Sequence, residues 1–175
     1  MDDSDDSQGG GEGIAPRTPA VEDLVDLCRI LNELGARYVV VGGFAVRSAG
    51  YERMTTDIDL IIDTCLPNEA KVYKALESLP DQAVKELEPG EVAKYTVVRV
   101  ADEIVVDLMR SACGIEYEEA AKDIVIREVR GVPIPFASPR LLWRMKAKTH
   151  RAKDGGDLVF LREYFASRGE TPPEV

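Results

Sequence analysis

The chain has one histidine, His150, and three cysteines, Cys28, Cys65 and Cys113, with no CxxC pair among them. A lone histidine leaves no paired-histidine metal centre to build. An odd cysteine count without paired spacing offers neither a disulfide framework nor a zinc ribbon. Each cysteine sits beside apolar residues, so all three are expected to be small buried hydrophobes in a reducing compartment. No apolar run approaches the roughly 20 residues of a membrane helix, and no apolar N-terminal signal is visible, so a cytoplasmic protein is expected. Positive charge is also in short supply. The net charge of −10 over 175 residues argues against a broad, non-specific grip on nucleic acid.

What is present fits a globular protein: 45% of the residues are hydrophobic, and a chain this long can bury roughly 70% of its unfolded surface. The charge is uneven. Residues 1–17, MDDSDDSQGGGEGIAPR, carry five acids against one arginine and show no periodicity; they are expected to be a disordered acidic tail. Residues 137–153, ASPRLLWRMKAKTHRAK, carry six basic residues and no acid. In an acidic protein such a reversal points to an anion site, with a solvated helix face as the plain alternative. The expected organisation is therefore the tail, a core over 18–136, and a basic helical segment over 137–175 packed on that core.

Periodicity places the elements. Thr18 can cap and Pro19 suits a first helical position, and Val21, Leu24, Val25, Cys28, Leu31 and Leu34 then line one helix face. Gly35 is a plausible stop. A strand over Arg37–Val41, a short helix over 43–50, a strand over about 57–63 and a helix over 68–78 follow. YTVVRVA and EIVVDLM read as strands joined near Ala101-Asp102, as do IVIREV and VPIPFA around Gly131. Helices over about 138–149 and 154–168 complete the pattern. Alternating helices and strands followed by hairpins predict an α/β (α+β) protein with a mixed β-sheet flanked by helices and C-terminal helices.

The stretch VVVGGFAVRSAGYERMTTDIDLII holds the chemistry. Strand side chains alternate faces, so Asp57 and Asp59 point one way while Ile58, Leu60 and Ile62 point into the core. Asp107 in EIVVDLM obeys the same parity. If its strand neighbours the 57–63 strand, three carboxylates meet on one sheet face. Unit charges about 4 Å apart repel by roughly 1–4 kcal/mol in wet surroundings. A fold gains nothing from such clustering without a cation, and hard oxygen ligands suit Mg²⁺ held together with a phosphate. Two such ions can clamp an in-line phosphoryl displacement. Asp63 shares the parity but lies about 20 Å from Asp57 along an extended strand, so it reads as a strand-end residue. Gly42-Gly43 lets the backbone approach a ligand, and the following helix offers free N–H groups to an anion. It is neither G-x-G-x-x-G nor a P-loop.

Apolar–Gly42-Gly43, thirteen intervening residues, then Asp57-Ile58-Asp59-Leu60 resembles the signature of the nucleotidyltransferase superfamily that includes DNA polymerase beta. The familiar form has Gly-Ser, so Gly43 lacks one expected hydroxyl. GYERMTTDIDL and the order Lys146, Arg151, Lys153-Asp154, Asp157 resemble the bacterial minimal and abortive-infection, type IV toxin-like branch. The resemblance spans roughly residues 20–165. It implies the nucleotidyltransferase fold and transfer of a nucleoside monophosphate from an NTP to a hydroxyl acceptor, with Mg²⁺ or Mn²⁺ as cofactor. Asp57 and Asp59 would hold the nucleotide metal. Asp107 would join them on the catalytic metal and help deprotonate the acceptor. Gly42 and Gly43 would cradle phosphates. Lys146, Arg151 and Arg53 would neutralise triphosphate charge, and Asp154 would orient those bases. Acceptors of this kind are a tRNA end, a protein hydroxyl or a small molecule, and a toxin-like role implies an antitoxin partner. Two alternatives stand beside this reading. One is a non-catalytic nucleotide-binding or regulatory module on the same fold. The other is a DxDx[TV] aspartate phosphatase, in which the apolar strand precedes the first aspartate; here it follows. By position alone, Phe44, Tyr51 and Tyr95 are the candidates for a base pocket.

Overall fold

The computed structural model describes residues 14–175; residues 1–13, most of the segment read as an acidic tail, lie outside the described residues. Arg17, the last residue of that segment, is instead anchored: its guanidinium pairs with Asp23 at 2.7 Å and with Glu103 at 3.3 Å. The first helix, α1 (Val21–Glu33), begins later than Thr18. Pro19 is buried ahead of it. The Ala20 N–H donates to Asp23 Oδ2 at 2.6 Å, so a carboxylate in the first turn reaches back to close the end. The far end matches expectation. Gly35 has φ +69°, and the Ala36 N–H donates to the Leu31 carbonyl at 2.9 Å, the left-handed helix stop that glycine permits.

The elements that follow are β1 (Tyr38–Val41), α2 (Gly42–Ser48), β2 (Asp57–Ile62), α3 (Leu66–Leu76), α4 (Glu91–Lys94), β3 (Val97–Ala101), β4 (Val105–Met109), β5 (Ser111–Ala112), β6 (Ile115–Glu116), α5 (Tyr117–Ala120), β7 (Ile124–Val129), β8 (Val132–Ala137), α6 (Pro139–Lys146) and α7 (Gly155–Ser167). The main sheet has the order β3-β4-β2-β1-β8-β7, and β5 and β6 form a small separate pair. Pairing is mixed. β1–β2, β3–β4 and β7–β8 run antiparallel, whereas β2–β4 and β1–β8 run parallel. This is the mixed sheet flanked by helices that the pattern predicts.

Helices cover both faces. The Tyr38 hydroxyl donates to Asn32 Oδ1 of α1 at 2.8 Å, and α1 packs on α3 and β8. On the other face α2 touches α6, which touches α7. Because Tyr38, Val40 and Leu60 share the α1 face, Val41 and Asp59, which are register partners, share the opposite one. In β2 the side chains of Ile58, Leu60, Ile61 and Ile62 are at most 1% exposed. Burying each contributes roughly 1.5–3 kcal/mol, enough together to hold two carboxylates against their mutual repulsion.

Two expectations need correction. Only Cys28 is buried; Cys65 and Cys113 are exposed. Cys113 sits at φ +49° in a turn, a position decided by chain direction rather than by its apolar neighbours. The α6 helix stops at Lys146 rather than near 149. There the Thr149 N–H donates to the Lys146 carbonyl at 3.1 Å, and His150 takes φ +51°, so the chain turns back before α7. No described helix is long and apolar enough to cross a membrane.

Candidate active site

Sheet register builds the acidic half of the site. Asp59 is the partner of Asp107 across the parallel β2–β4 ladder, and Arg99 is the partner of Asp107 across β3–β4. Side chains directly opposite one another share a face. Val41, Asp59, Asp107 and Arg99 therefore form one row, and Asp57 lies one pleat away on the same side. Asp57, Asp59 and Asp107 each present a carboxylate oxygen within 4.8 Å of the other two. Arg99 grips both oxygens of Asp107, through Nε at 2.9 Å and Nη2 at 2.8 Å, and reaches Asp57 Oδ2 at 3.2 Å. Asp59 makes no side-chain hydrogen bond or ion pair among the described residues. Burial, and then the charges of Asp57 and Asp107, push its carboxyl up to about 7, against the opposing pull of Lys153 and Lys146. Burial and the charge on Asp107 also raise the Asp57 carboxyl above its usual range.

The glycine pair makes this packing feasible. Gly42 has φ +65°, and a Cβ there would land on the Asp59 carboxylate. A Cβ on Gly43 would lie 2.7 Å from Thr55 Cβ. Thr55 is buried, and its hydroxyl donates to the Asp57 carbonyl at 3.0 Å, which fixes the entry into β2. The glycines thus serve the close approach of β2 to α2. At seven residues that helix has too little length for its dipole to matter.

The basic half comes from the chain's other end. Lys146 is 7% exposed. Its ammonium lies 2.9 Å from Asp154 Oδ1 and 3.0 Å from Asp157 Oδ2. Asp154 also accepts from Thr149 Oγ1 at 2.6 Å and Arg151 Nε at 2.9 Å. Burial would raise the Asp154 carboxyl, but the bonds from Thr149, Lys146 and Arg151 outweigh it and hold the group at about 2. Arg53 closes on Asp157, with Nη2 3.0 Å from Oδ2. Its Nε lies 2.8 Å from Oδ1, although these two buried atoms face each other out of hydrogen-bond alignment and are held by charge alone. Tyr51 secures this loop by stacking on Phe160 of α7, with ring centroids 5.1 Å apart. Gly156 leaves room for the Tyr51 hydroxyl, which a Cβ there would meet at 2.9 Å.

Both halves line one cavity of about 720 Å³, within the range of small-molecule sites. Every residue expected to hold metal or phosphate lines it: Asp57, Asp59, Asp107, Gly42, Gly43, Arg53, Lys146, Arg151 and Asp154. Lys146 differs from expectation in one respect, since its charge is already balanced by two buried carboxylates. Arg99, Lys153 and Thr55 line the cavity too; of these the sequence marks only Lys153, as part of the C-terminal motif and without a role of its own in the site. Arg99 becomes visible only once the β3–β4 register is known. Lys153 makes no ion pair among the described residues. None of Phe44, Tyr51 or Tyr95 lines the cavity; its apolar wall includes Val97, Met109, Leu142 and Met145. Phe44 is buried in the core and Tyr51 is spent on Phe160. His150 is also outside the lining.

The donor set fits a hard divalent cation. Three carboxylates converge, and Asp59 has no partner of its own to give up.

No protein-family model matches the chain, and no curated protein matches it in sequence. Solved structures do match its fold. A candidate nucleotidyltransferase from Thermotoga maritima superposes with a TM-score of 0.53 at 17% identity, covering 85% of this chain and 93% of its own. An antigenic nucleotidyltransferase-like protein from Paracoccidioides brasiliensis gives a TM-score of 0.55 at 16% identity, covering 87% and 79%.

Proposed function

We propose that this protein, which has the nucleotidyltransferase fold, is a divalent-metal-dependent nucleotidyltransferase. The observation that carries the reading is the convergence of Asp57, Asp59 and Asp107 within 4.8 Å, in a cavity whose facing wall holds Lys146, Arg151, Arg53 and Lys153. Asp57 and Asp59 would hold Mg²⁺ or Mn²⁺ together with the triphosphate, and Asp107 would share a catalytic ion. When bound, such an ion polarises the phosphoryl oxygens and offsets charge on the leaving group. The chain's own contribution is placement and charge. Gly42 and Gly43 admit the phosphates close to β2. Lys153 and Arg151 meet their negative charge, while Lys146 and Arg53 tie that wall together. Asp107 accepts the proton of the acceptor hydroxyl as its oxygen bonds to the α-phosphorus; the bond to the bridging oxygen breaks, and pyrophosphate leaves.

The acceptor is a hydroxyl: a tRNA 3′ end, a protein side chain or a small molecule. The net charge of −10 disfavours a long nucleic-acid groove but leaves room for an RNA end at the basic wall. A toxin-like role with an antitoxin partner is the biological setting we infer from the motif order. The presence of all three carboxylates speaks against a non-catalytic module. The test is label transfer from each α-³²P NTP with Mg²⁺, total tRNA and cell extract. Label should move with the intact protein and not with Asp57→Ala/Asp59→Ala, and the labelled species names the acceptor. No transfer and no Mg²⁺-dependent NTP binding by the intact protein would sink the reading.

A pH dependence follows from Asp59. A cation binds the deprotonated carboxylate, and this carboxyl is held at about 7. Affinity for Mn²⁺ alone should therefore be level above pH 7 and fall about tenfold for each pH unit below it, one proton being displaced per ion. Calorimetric titration between pH 5.5 and 8 measures this. A flat profile would mean that no raised carboxyl gives up its proton to the ion.

A further inference from the structure

Arg99 has a position that neither the sheet nor the basic wall requires. It lies on β3, at the edge of the main sheet, with its side chain 61% exposed. A guanidinium so placed could extend freely into water. Instead it takes both oxygens of Asp107 and one of Asp57. Those are oxygens of the carboxylate cluster that the proposed cation would use. One set of lone pairs cannot serve a bidentate guanidinium and a small divalent ion at full strength together.

We propose that Arg99 is a displaceable counter-ion of the three-carboxylate cluster. It holds Asp107 and Asp57 in register until a divalent cation takes them, and then turns to the anionic ligand that enters with the cation. This rests on the metal-site reading above. The geometry supplies both positions. Asp107 is 8% exposed and cannot follow the guanidinium outward, so the arginine is the partner that moves. The solvent that already bathes most of the Arg99 side chain, 61% exposed, gives it somewhere to go. Arg99 also lines the same cavity as Gly42, Gly43 and Lys153, so a guanidinium freed from Asp107 stays within reach of a phosphate there. Its planar fork suits a phosphate as well as it suits a carboxylate. Arg99 is thus a positioning residue for the cation site and a binding residue for the anion.

The two roles predict effects of opposite sign, which a merely structural ion pair would not give. Calorimetry with MnCl₂ alone, without nucleotide, should show Arg99→Gln binding about tenfold more tightly than the intact protein, with Arg99→Lys in between. Titration of inorganic pyrophosphate at saturating Mn²⁺ should show the reverse, with Arg99→Gln about tenfold weaker. If Arg99→Gln does not fold without the ion, Arg99→Lys carries the comparison and must still bind Mn²⁺ more tightly than the intact protein. Equal or weaker Mn²⁺ binding by the variants overturns the proposal while leaving the metal site standing. An intact protein and variants that all fail to bind Mn²⁺ overturn both the proposal and the metal-site reading.

Discussion

Asp59→Asn should make the metal-free protein more stable at pH 8 while lowering nucleotidyl transfer by about a thousandfold. A carboxyl whose folded value is raised to about 7, from an unfolded value near 3.9, prefers to be protonated in the native state. Its contribution to stability is fully present below the unfolded value and is lost as pH rises through 7. At pH 8 the native protein therefore carries an ionised Asp59 beside two other acids. Asparagine removes that charge at nearly constant shape. We expect a gain of about 1–2 kcal/mol, or roughly 2–8 °C in Tm for a chain of this size. Near pH 4 the unfolded chain begins to take up that proton as well, and the two melting temperatures should converge. Thermal melts at the two pH values without metal check this, and a variant less stable than the intact protein at pH 8 would contradict it. The transfer loss has a separate cause: an amide carries no charge for the cation.

Lys146→Met should have the opposite outcome. Asp154 and Asp157 are 2% and 1% exposed, and both rely on the Lys146 ammonium. Removing one partner of a buried ion pair strands the other, at a typical cost of 3–5 kcal/mol. Arg151 still holds Asp154, and Arg53 still holds Asp157, so the low end applies. About 3 kcal/mol lowers Tm by roughly 6–12 °C. Lys153→Met is the paired control. Lys153 is exposed and has no ion pair to break among the described residues, so its loss should leave Tm within about 1 °C and raise KM for the nucleotide about tenfold. A Lys146→Met protein that melts with the intact one would show that the network does not support α7. A Lys153→Met protein with unchanged KM would remove that residue from the nucleotide site. Loss of activity in Lys146→Met alone would say nothing about phosphate contact, because the wall itself is disturbed.

The comparison of these two lysines also shows what a sequence can and cannot carry. Parity along β2 and β4 was legible, because alternation is a local rule and β-branched residues mark both strands. It placed Asp57, Asp59 and Asp107 on matching faces before any pairing was known. The start of α1 was not legible: Thr18-Pro19 has the right chemistry, but Asp23 reaching back to Ala20 takes precedence. Arg99 escaped notice because an arginine in an edge strand looks solvent-facing until the register sets it opposite Asp107. The balance of charge on Lys146 depends on the reversal near His150, which brings Asp154 and Asp157 back over α6. The short elements α4, α5, β5 and β6 span too few residues for any period to show.

The tie between Arg53 and Asp157 crosses 104 positions of the chain, and its consequence is one of timing. During synthesis the acidic strands emerge first, and the wall that faces them is completed only when residue 157 has left the ribosome. Contacts this distant in sequence also form late in folding, since a large loop must close before they reward it. The basic wall therefore cannot close over the acidic strands until nearly all the described fold exists.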